Sequence, residues 1–107
     1  MKAKELALEI AGAFAPTAVD VADALAHVAA DKAVASLGSP QRAAVASLVA
    51  DIGFKAWDAS RLKETLQQGD VAAAVHEFPR WIVRDGKVNA EMAVRRAAEK
   101  ALFESKH

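Results

Sequence analysis

Two acidic side chains near the start of the chain, Glu5 and Glu9, have a type and spacing from which acid–base chemistry can be built. Residues four apart in a helix lie on one face, so one acid and one base can sit together there. Carboxylates at this spacing that point into water are more commonly a charged helix face. We adopt that interpretation for Glu5 and Glu9, and the sequence assigns no catalytic residue.

The three histidines do not form a metal-binding motif. The segment that begins at His76 reads His-Glu-Phe-Pro-Arg and starts like the zinc motif His-Glu-x-x-His, but Arg80 takes the place of the second histidine. His27 falls in a predicted helix as a boundary residue, and His107 is terminal. The chain has no cysteine, no glycine-rich phosphate loop and no Gly-x-Ser-x-Gly motif. We therefore expect no metal and no cofactor.

The segment Glu-Phe-Pro-Arg-Trp at residues 77–81 concentrates bulky side chains in an alanine-rich chain. Phe78 and Trp81 are three residues apart and share one side of a helical turn, where both can anchor a helix in the core. Trp57 is expected to join them, and Arg80 to point outward or to pair with Glu77 or with a C-terminal acid. The alternative is an aromatic surface that stacks on sugar rings. Packing is the interpretation that we favour.

Basic residues collect in and before the last predicted helix. Glu91 and Arg95 are four apart and can form an ion pair on that helix. We expect a solvated helix face with one internal ion pair, since the net charge of the whole chain is zero and a phosphate-binding role has no support from it. The residues concerned are Arg84, Lys87, Arg95, Arg96 and Lys100.

The elements that carry these residues are predicted to be helices. Alanine is abundant, tyrosine is absent, and runs of alternating Val, Ile and Thr are missing. Residues that cap or break helices predict six segments, at 3–14, 17–37, 41–52, 60–68, 71–78 and 90–104, with a short connection at 53–58. The segment 41–52 is apolar on nearly every side and is expected to be central. The expected N-caps are Thr17, Ser39, either Asp58 or Ser60, Asp70 and Asn89, and residues 84–87 are the expected turn. The fold class is therefore an all-α, compact bundle of about five to six helices.

Length and charge restrict the number of domains and the kinds of partner that the chain can have. The 107 residues suffice for a single helical domain, residues 1–107, in which 1–15 form a separate N-terminal helix. Equal numbers of acidic and basic residues give no reason to expect nucleic acid as a partner. No apolar stretch is long enough to span a bilayer, and Glu5 and Glu9 interrupt any signal-peptide core. A cytoplasmic location in a bacterial host is the expectation.

One stretch of the sequence has a familiar order of motifs. Gly53, Leu62 and Leu66 are followed by Gln-Gly-Asp at 68–70, by Glu-Phe-Pro-Arg-Trp at 77–81, by Gly86, and by Arg-Arg-Ala-Ala-Glu-Lys-Ala-Leu-Phe at 95–103. Residues 41–103 resemble the C-terminal helical lobe of phage-type lysozymes, the endolysins of glycoside hydrolase family 24. The resemblance implies a helical lobe and a phage or prophage origin.

The sequence also departs from that family. A helix with a catalytic glutamate, followed by a β-hairpin with an aspartate and a threonine, is the family's catalytic lobe, and no such pattern occurs in these residues. Glu9, Thr17 and Asp20 have the right types in the wrong order. Asp51 replaces a family asparagine, and Glu91 and Met92 replace a family Gly-Leu. We therefore expect that the chain is not an enzyme.

The functional hypothesis that follows is a non-catalytic, lysozyme-derived protein that acts by binding another protein or by self-association. Two alternatives remain open: a peptidoglycan-binding or lysis-related module, and an active muramidase that uses an unrecognised carboxylate such as Glu9. No membrane partner is expected. The candidate binding surface comprises Asp51, Phe54, Trp57, Arg80, Trp81, Arg84, Arg95 and Arg96.

Overall fold

The structure is a computed structural model that describes residues 3–11 and 19–105, with the backbone alone at Ala11. Helices dominate this part of the chain, which confirms the expected mostly-α class. The elements are α1 Ala3–Ala11, α2 Val21–Ala29, α3 Lys32–Ala35, α4 Ser39–Ile52, α5 Phe54–Asp58, α6 Arg61–Gln67, α7 Val71–Ala74, a 3-10 helix Val75–Arg80, β1 Val83–Arg84, β2 Lys87–Val88 and α8 Ala90–Glu104.

Helix α4 lies at the centre of the fold. Its sequence is apolar on nearly every side, and residues 43–50 are completely buried. Helices α1, α2 and α8 pack around it. The expectation that this helix is central is confirmed. Helix α1 contributes Ala3 and Ala7 to the core, whereas Glu5 and Glu9 on the same helix are exposed, as expected of a charged face.

Side-chain caps set most helix starts. The predicted caps Ser60, Asp70 and Asn89 are confirmed, since each side chain accepts a backbone N–H in the first turn of its helix. Gly38, not Ser39, precedes α4, and the Gln41 side chain accepts the Gly38 N–H at 3.3 Å. Thr17, together with the stretch predicted to end the first helix, lies outside the described residues.

Some predicted helices are divided. The segment expected at 17–37 forms α2 and α3, because the Asp31 carboxylate accepts the Ala33 N–H at 2.9 Å and starts a new helix. The segment at 71–78 changes from α7 into the 3-10 helix, since Pro79 lacks an N–H and crowds the preceding turn. Residues 54–58, expected to be a connection, form the short helix α5.

The predicted turn is the tip of a small hairpin. Asp85 and Gly86 both have positive φ, 54° and 78°, as the central residues of a type I′ turn require. Strands β1 and β2 pair antiparallel through Val83–Val88 and Arg84–Lys87. Within residues 3–11 and 19–105, no helix combines the length and hydropathy needed to cross a bilayer. The same ranges contain no group of three or more metal-ligating side chains.

Candidate functional site

The candidate site is a buried charged cluster between α4 and α8, which we define as Ser47, Asp51, Arg95, Arg96 and Glu99. Ser47 and Asp51 are four residues apart on one face of α4, and the other residues in the 43–52 part of this helix are apolar. On α8, Glu99 is three residues from Arg96 and four from Arg95, so their side chains share the face that meets α4. The charged cluster therefore joins the two longest helices of the described chain.

Glu99 lies at the inner end of the charged cluster and is completely buried. Its Oε2 accepts from Arg95 Nε at 3.2 Å, from Arg96 Nη2 at 3.1 Å and from the Ser47 hydroxyl. Its Oε1 lies 2.6 Å from Arg96 Nε at angles that make this contact an ion pair rather than a hydrogen bond. Arg95 Nη2 also donates to the Ser47 carbonyl at 2.7 Å.

Asp51 lies at the outer end of the charged cluster, with its side chain 10% exposed. Arg84 Nη2 and Arg95 Nη1 approach its Oδ1 at 3.3 and 3.9 Å, and Arg96 Nη1 approaches its Oδ2 at 3.1 Å. Three guanidinium groups thus share one carboxylate. Asp51 is in the last turn of α4, where the partial negative charge of the helix end also favours nearby cations.

Burial and ion pairing shift the pKa of Glu99 in opposite directions. Burial raises the pKa of Glu99, because removing a carboxylate from water disfavours its charged form. Arg96, the Ser47 hydroxyl and Arg95 oppose this effect without overcoming it. The arginines therefore make ionised Glu99 tolerable in the interior, although the position remains costly for a charge.

Four residues of the predicted binding surface meet at this site. Asp51, Arg84, Arg95 and Arg96 are all in contact there. The expectation of a solvated basic face is wrong for two of them, because Arg95 is 2% exposed and Arg96 is 1% exposed. Both guanidinium groups point inward and contact Glu99. Trp81 is adjacent, since its carbonyl accepts from Arg96 Nη1 at 3.5 Å.

The other predicted surface residues lie elsewhere. Trp57 is 1% exposed and belongs to the core. Phe54 stacks on His27 with ring centroids 4.1 Å apart. Arg80 is exposed and pairs with Glu77 at 3.2 Å, as predicted. A shallow depression of about 280 Å³ lies beside His27. It is lined by His27, Ala30, Asp31, Trp57, Asp58 and Lys63.

The segment at residues 77–81 is a packing element, as the sequence favoured. Phe78 is completely buried and lies against Phe103 of α8, with ring centroids 5.3 Å apart. Trp81 is half-buried and packs against the core. The segment thus holds the 3-10 helix on α8 and sets the position from which the hairpin and Arg84 leave the body of the fold.

Sequence reasoning missed Glu99 and Ser47. A signal for Glu99 exists, because its spacing from Arg95 and Arg96 allows two ion pairs on one helix. Ser47 gives no such signal, since small hydroxyl side chains are common in buried helices. The trio Glu9, Thr17 and Asp20 gains no support: Glu9 is exposed, Asp20 caps α2 with its carboxylate, and Thr17 lies outside the described residues.

Comparison with known proteins gives a consistent assignment. Residues 5–99 match the family model described as Phage lysozyme. The endolysin of Bacillus phage PZA is 44% identical over 62 residues, which are 58% of this chain and 24% of that protein. The endolysin of Acyrthosiphon pisum secondary endosymbiont phage 1 is 43% identical over 68 residues, covering 58% of this chain and 45% of that protein. The chain therefore spans less than half the length of these curated relatives.

These findings confirm the resemblance found in the sequence and correct one inference drawn from it. The expectation that the chain is not an enzyme is wrong, because the matching family is that of the phage lysozymes and both relatives are endolysins. The glutamate and hairpin pattern is absent from these 107 residues, but the family match holds without it.

Proposed function

Because the chain belongs to the phage lysozyme family, we propose that it works as part of a muramidase, an enzyme that hydrolyses glycosidic bonds in peptidoglycan. The family match across residues 5–99 is the observation that carries this proposal. The described helices would supply one wall of the substrate cleft. Substrate contacts would come from the end where α4, the hairpin and α8 meet.

The charged cluster supports this role by holding α4 and α8 in fixed positions. Glycosidases hold their acid groups and substrate from rigid elements, because small displacements of those groups reduce the rate strongly. Ser47 and Asp51 of α4 contact Glu99, Arg95 and Arg96 of α8, and these contacts join the two helices. The three α8 side chains are completely or almost completely buried. Asp51 and Arg84 are the members of this region that reach solvent, and they mark the surface proposed to face the glycan.

Insoluble, dye-labelled peptidoglycan tests the proposal. The purified protein is expected to be retained on the sacculi and to release soluble dye over time. Asp51→Asn is expected to lower both signals, whereas Asp23→Asn, at an exposed position on α2, leaves them unchanged. If the protein is not retained on the sacculi and releases no dye even at high concentration, the proposal is wrong.

A protein partner or self-association is a second proposed role, and it rests on a different observation. Val83 and Val88 form a cross-strand pair and are 53% and 69% exposed. Such a pair is an apolar surface that association could cover. Sedimentation velocity across a range of protein concentrations measures the oligomeric state. A single monomeric species at all concentrations would remove the case for self-association.

A further inference from the structure

The shallow depression beside His27, which we call the His27 depression, is formed where three helices and one turn meet. Its lining residues come from α2, from the turn that follows α2, from α5 and from α6. Its volume of about 280 Å³ is just below the range of about 300–1,000 Å³ that is usual for pockets of drug-sized ligands. We therefore expect an occupant about the size of a single ring. No residue of the charged cluster lines the depression, so it is a separate feature of the surface.

Aromatic rings form part of the lining. The imidazole of His27 stacks on Phe54, with ring centroids 4.1 Å apart and 13° between the ring planes. This contact fixes the plane of the imidazole, which lines the depression together with Trp57. Ala30 lines it as well and leaves space that a longer side chain would fill. The flat, apolar side of a small ligand can pack against such rings.

Polar side chains in fixed positions complete the lining. Asp58 accepts a hydrogen bond from Lys63 Nζ at 3.2 Å and lies 3.4 Å from His27 Nε2. Asp31 accepts a hydrogen bond from Gln67 Nε2 at 2.8 Å. An ionised carboxylate has about four acceptor sites, so both aspartates can accept further hydrogen bonds. Lys63 has three donors and can donate to a ligand while it keeps its contact with Asp58.

The charges of the lining indicate a neutral ligand. Asp31 and Asp58 oppose the entry of an anion, and Lys63 beside them opposes the entry of a cation. The hydroxyl groups of a sugar both donate and accept hydrogen bonds, so they suit carboxylate and ammonium groups alike. A pyranose ring also has an apolar face of C–H groups that packs on aromatic rings. One sugar ring therefore fits the size, the charges and the aromatic part of this depression.

We propose that the His27 depression is a second glycan-binding site, which takes one sugar ring of a peptidoglycan strand. The choice of this glycan rests on the proposed function, and the site adds a contact away from the end where α4, the hairpin and α8 meet. Two contacts with one polymer retain a protein more strongly than either contact alone. The site thus helps to hold the protein on the cell wall and takes no part in bond cleavage.

A peptide-free tetrasaccharide of alternating N-acetylglucosamine and N-acetylmuramic acid tests the site in an NMR titration of the 107-residue chain. The ligand is expected to shift the backbone amide of Asp31 and the indole N–H of Trp57. Ala30→Leu fills the depression from an exposed position and should raise the Kd read from these signals about fivefold or more. Lys63→Met removes a donor and should also raise that Kd. Ala29→Leu changes the adjacent exposed position, which does not line the depression, and is the matched control.

The outcomes separate this site from the proposed function. Support consists of saturable shifts at the two signals that are weakened by Ala30→Leu and Lys63→Met and kept in Ala29→Leu. The site is overturned by three results: no shift at millimolar tetrasaccharide, an unchanged Kd in Ala30→Leu, or an equal response to sodium acetate or methylammonium chloride. Retention and dye release on sacculi would then leave the proposed function standing. A wild type that neither binds the tetrasaccharide nor is retained on sacculi overturns both.

Discussion

Replacing Arg96 with methionine is the sharpest perturbation of the charged cluster. Methionine keeps much of the apolar stem and removes the guanidinium group, so the variant isolates the charge and its hydrogen bonds. Arg96 is 1% exposed and contacts Glu99 at 2.6 and 3.1 Å and Asp51 at 3.1 Å. Its loss leaves Glu99 ionised in the interior with Arg95 as the remaining counter-charge.

The expected loss is large for a domain of this size. Removing one partner of a buried ion pair costs about 3–5 kcal/mol, because the remaining charge is buried with too little compensation. A total unfolding free energy of about 5–15 kcal/mol is typical, so the variant should lose roughly a fifth or more of its stability. Urea denaturation at pH 7 measures this. Arg61→Met, at an exposed position on α6, is the control and should change stability by less than about 0.5 kcal/mol.

The pH dependence provides a second check on the same variant. Burial already raises the pKa of Glu99 above its ordinary value of 4.5, and removing Arg96 should raise it further. A carboxyl group whose pKa is higher in the folded than in the unfolded state costs stability as pH rises between those two values. The deficit of Arg96→Met should therefore be smallest near pH 4 and grow toward pH 7. A loss below about 1 kcal/mol at pH 7, or a deficit that grows on acidification, would refute this reasoning.

Three further predictions concern the core, a helix cap and an exposed ion pair. Leu48→Ala, at the completely buried centre of α4, should lower the unfolding free energy by about 2–5 kcal/mol in urea denaturation. Asn89→Ala should cost about 0.5–2 kcal/mol by the same measurement, because the Met92 N–H loses its acceptor at the start of α8; no change would show the cap to be dispensable. Hydrogen bonds from Lys63 and then His27 lower the pKa of Asp58, so its stabilising effect is present above the unfolded pKa and lost as pH falls through the folded one. Wild type and Asp58→Asn should accordingly converge in thermal stability on acidification, and a constant difference would contradict the assignment.

Local signals accounted for much of the fold. Ser60, Asp70 and Asn89 could be identified as caps because a short polar side chain before an apolar segment has a specific use at a helix start. The central position of α4 followed from its apolar composition on all sides. The division at Asp31 could not be predicted, since one aspartate in a helical pattern is equally common on an exposed face.

The burial of Arg95 and Arg96 depends on tertiary contacts that the sequence does not display. Ser47 and Glu99 are 52 residues apart, and only the packing of α4 against α8 brings them together. Without that packing, a basic segment in a helix is expected to face water. The same limit applies to Arg84, whose contact with Asp51 depends on where the 3-10 helix places the hairpin.

The central proposal is that this chain works as part of a peptidoglycan-cleaving enzyme. Mass spectrometry of the soluble products released from purified sacculi tests it most directly. Muramidase action predicts fragments that end in reducing N-acetylmuramic acid, because the glycosidic bond at the anomeric carbon of that sugar is hydrolysed. Intact sacculi, or fragments cleaved only within their peptides, would contradict the account.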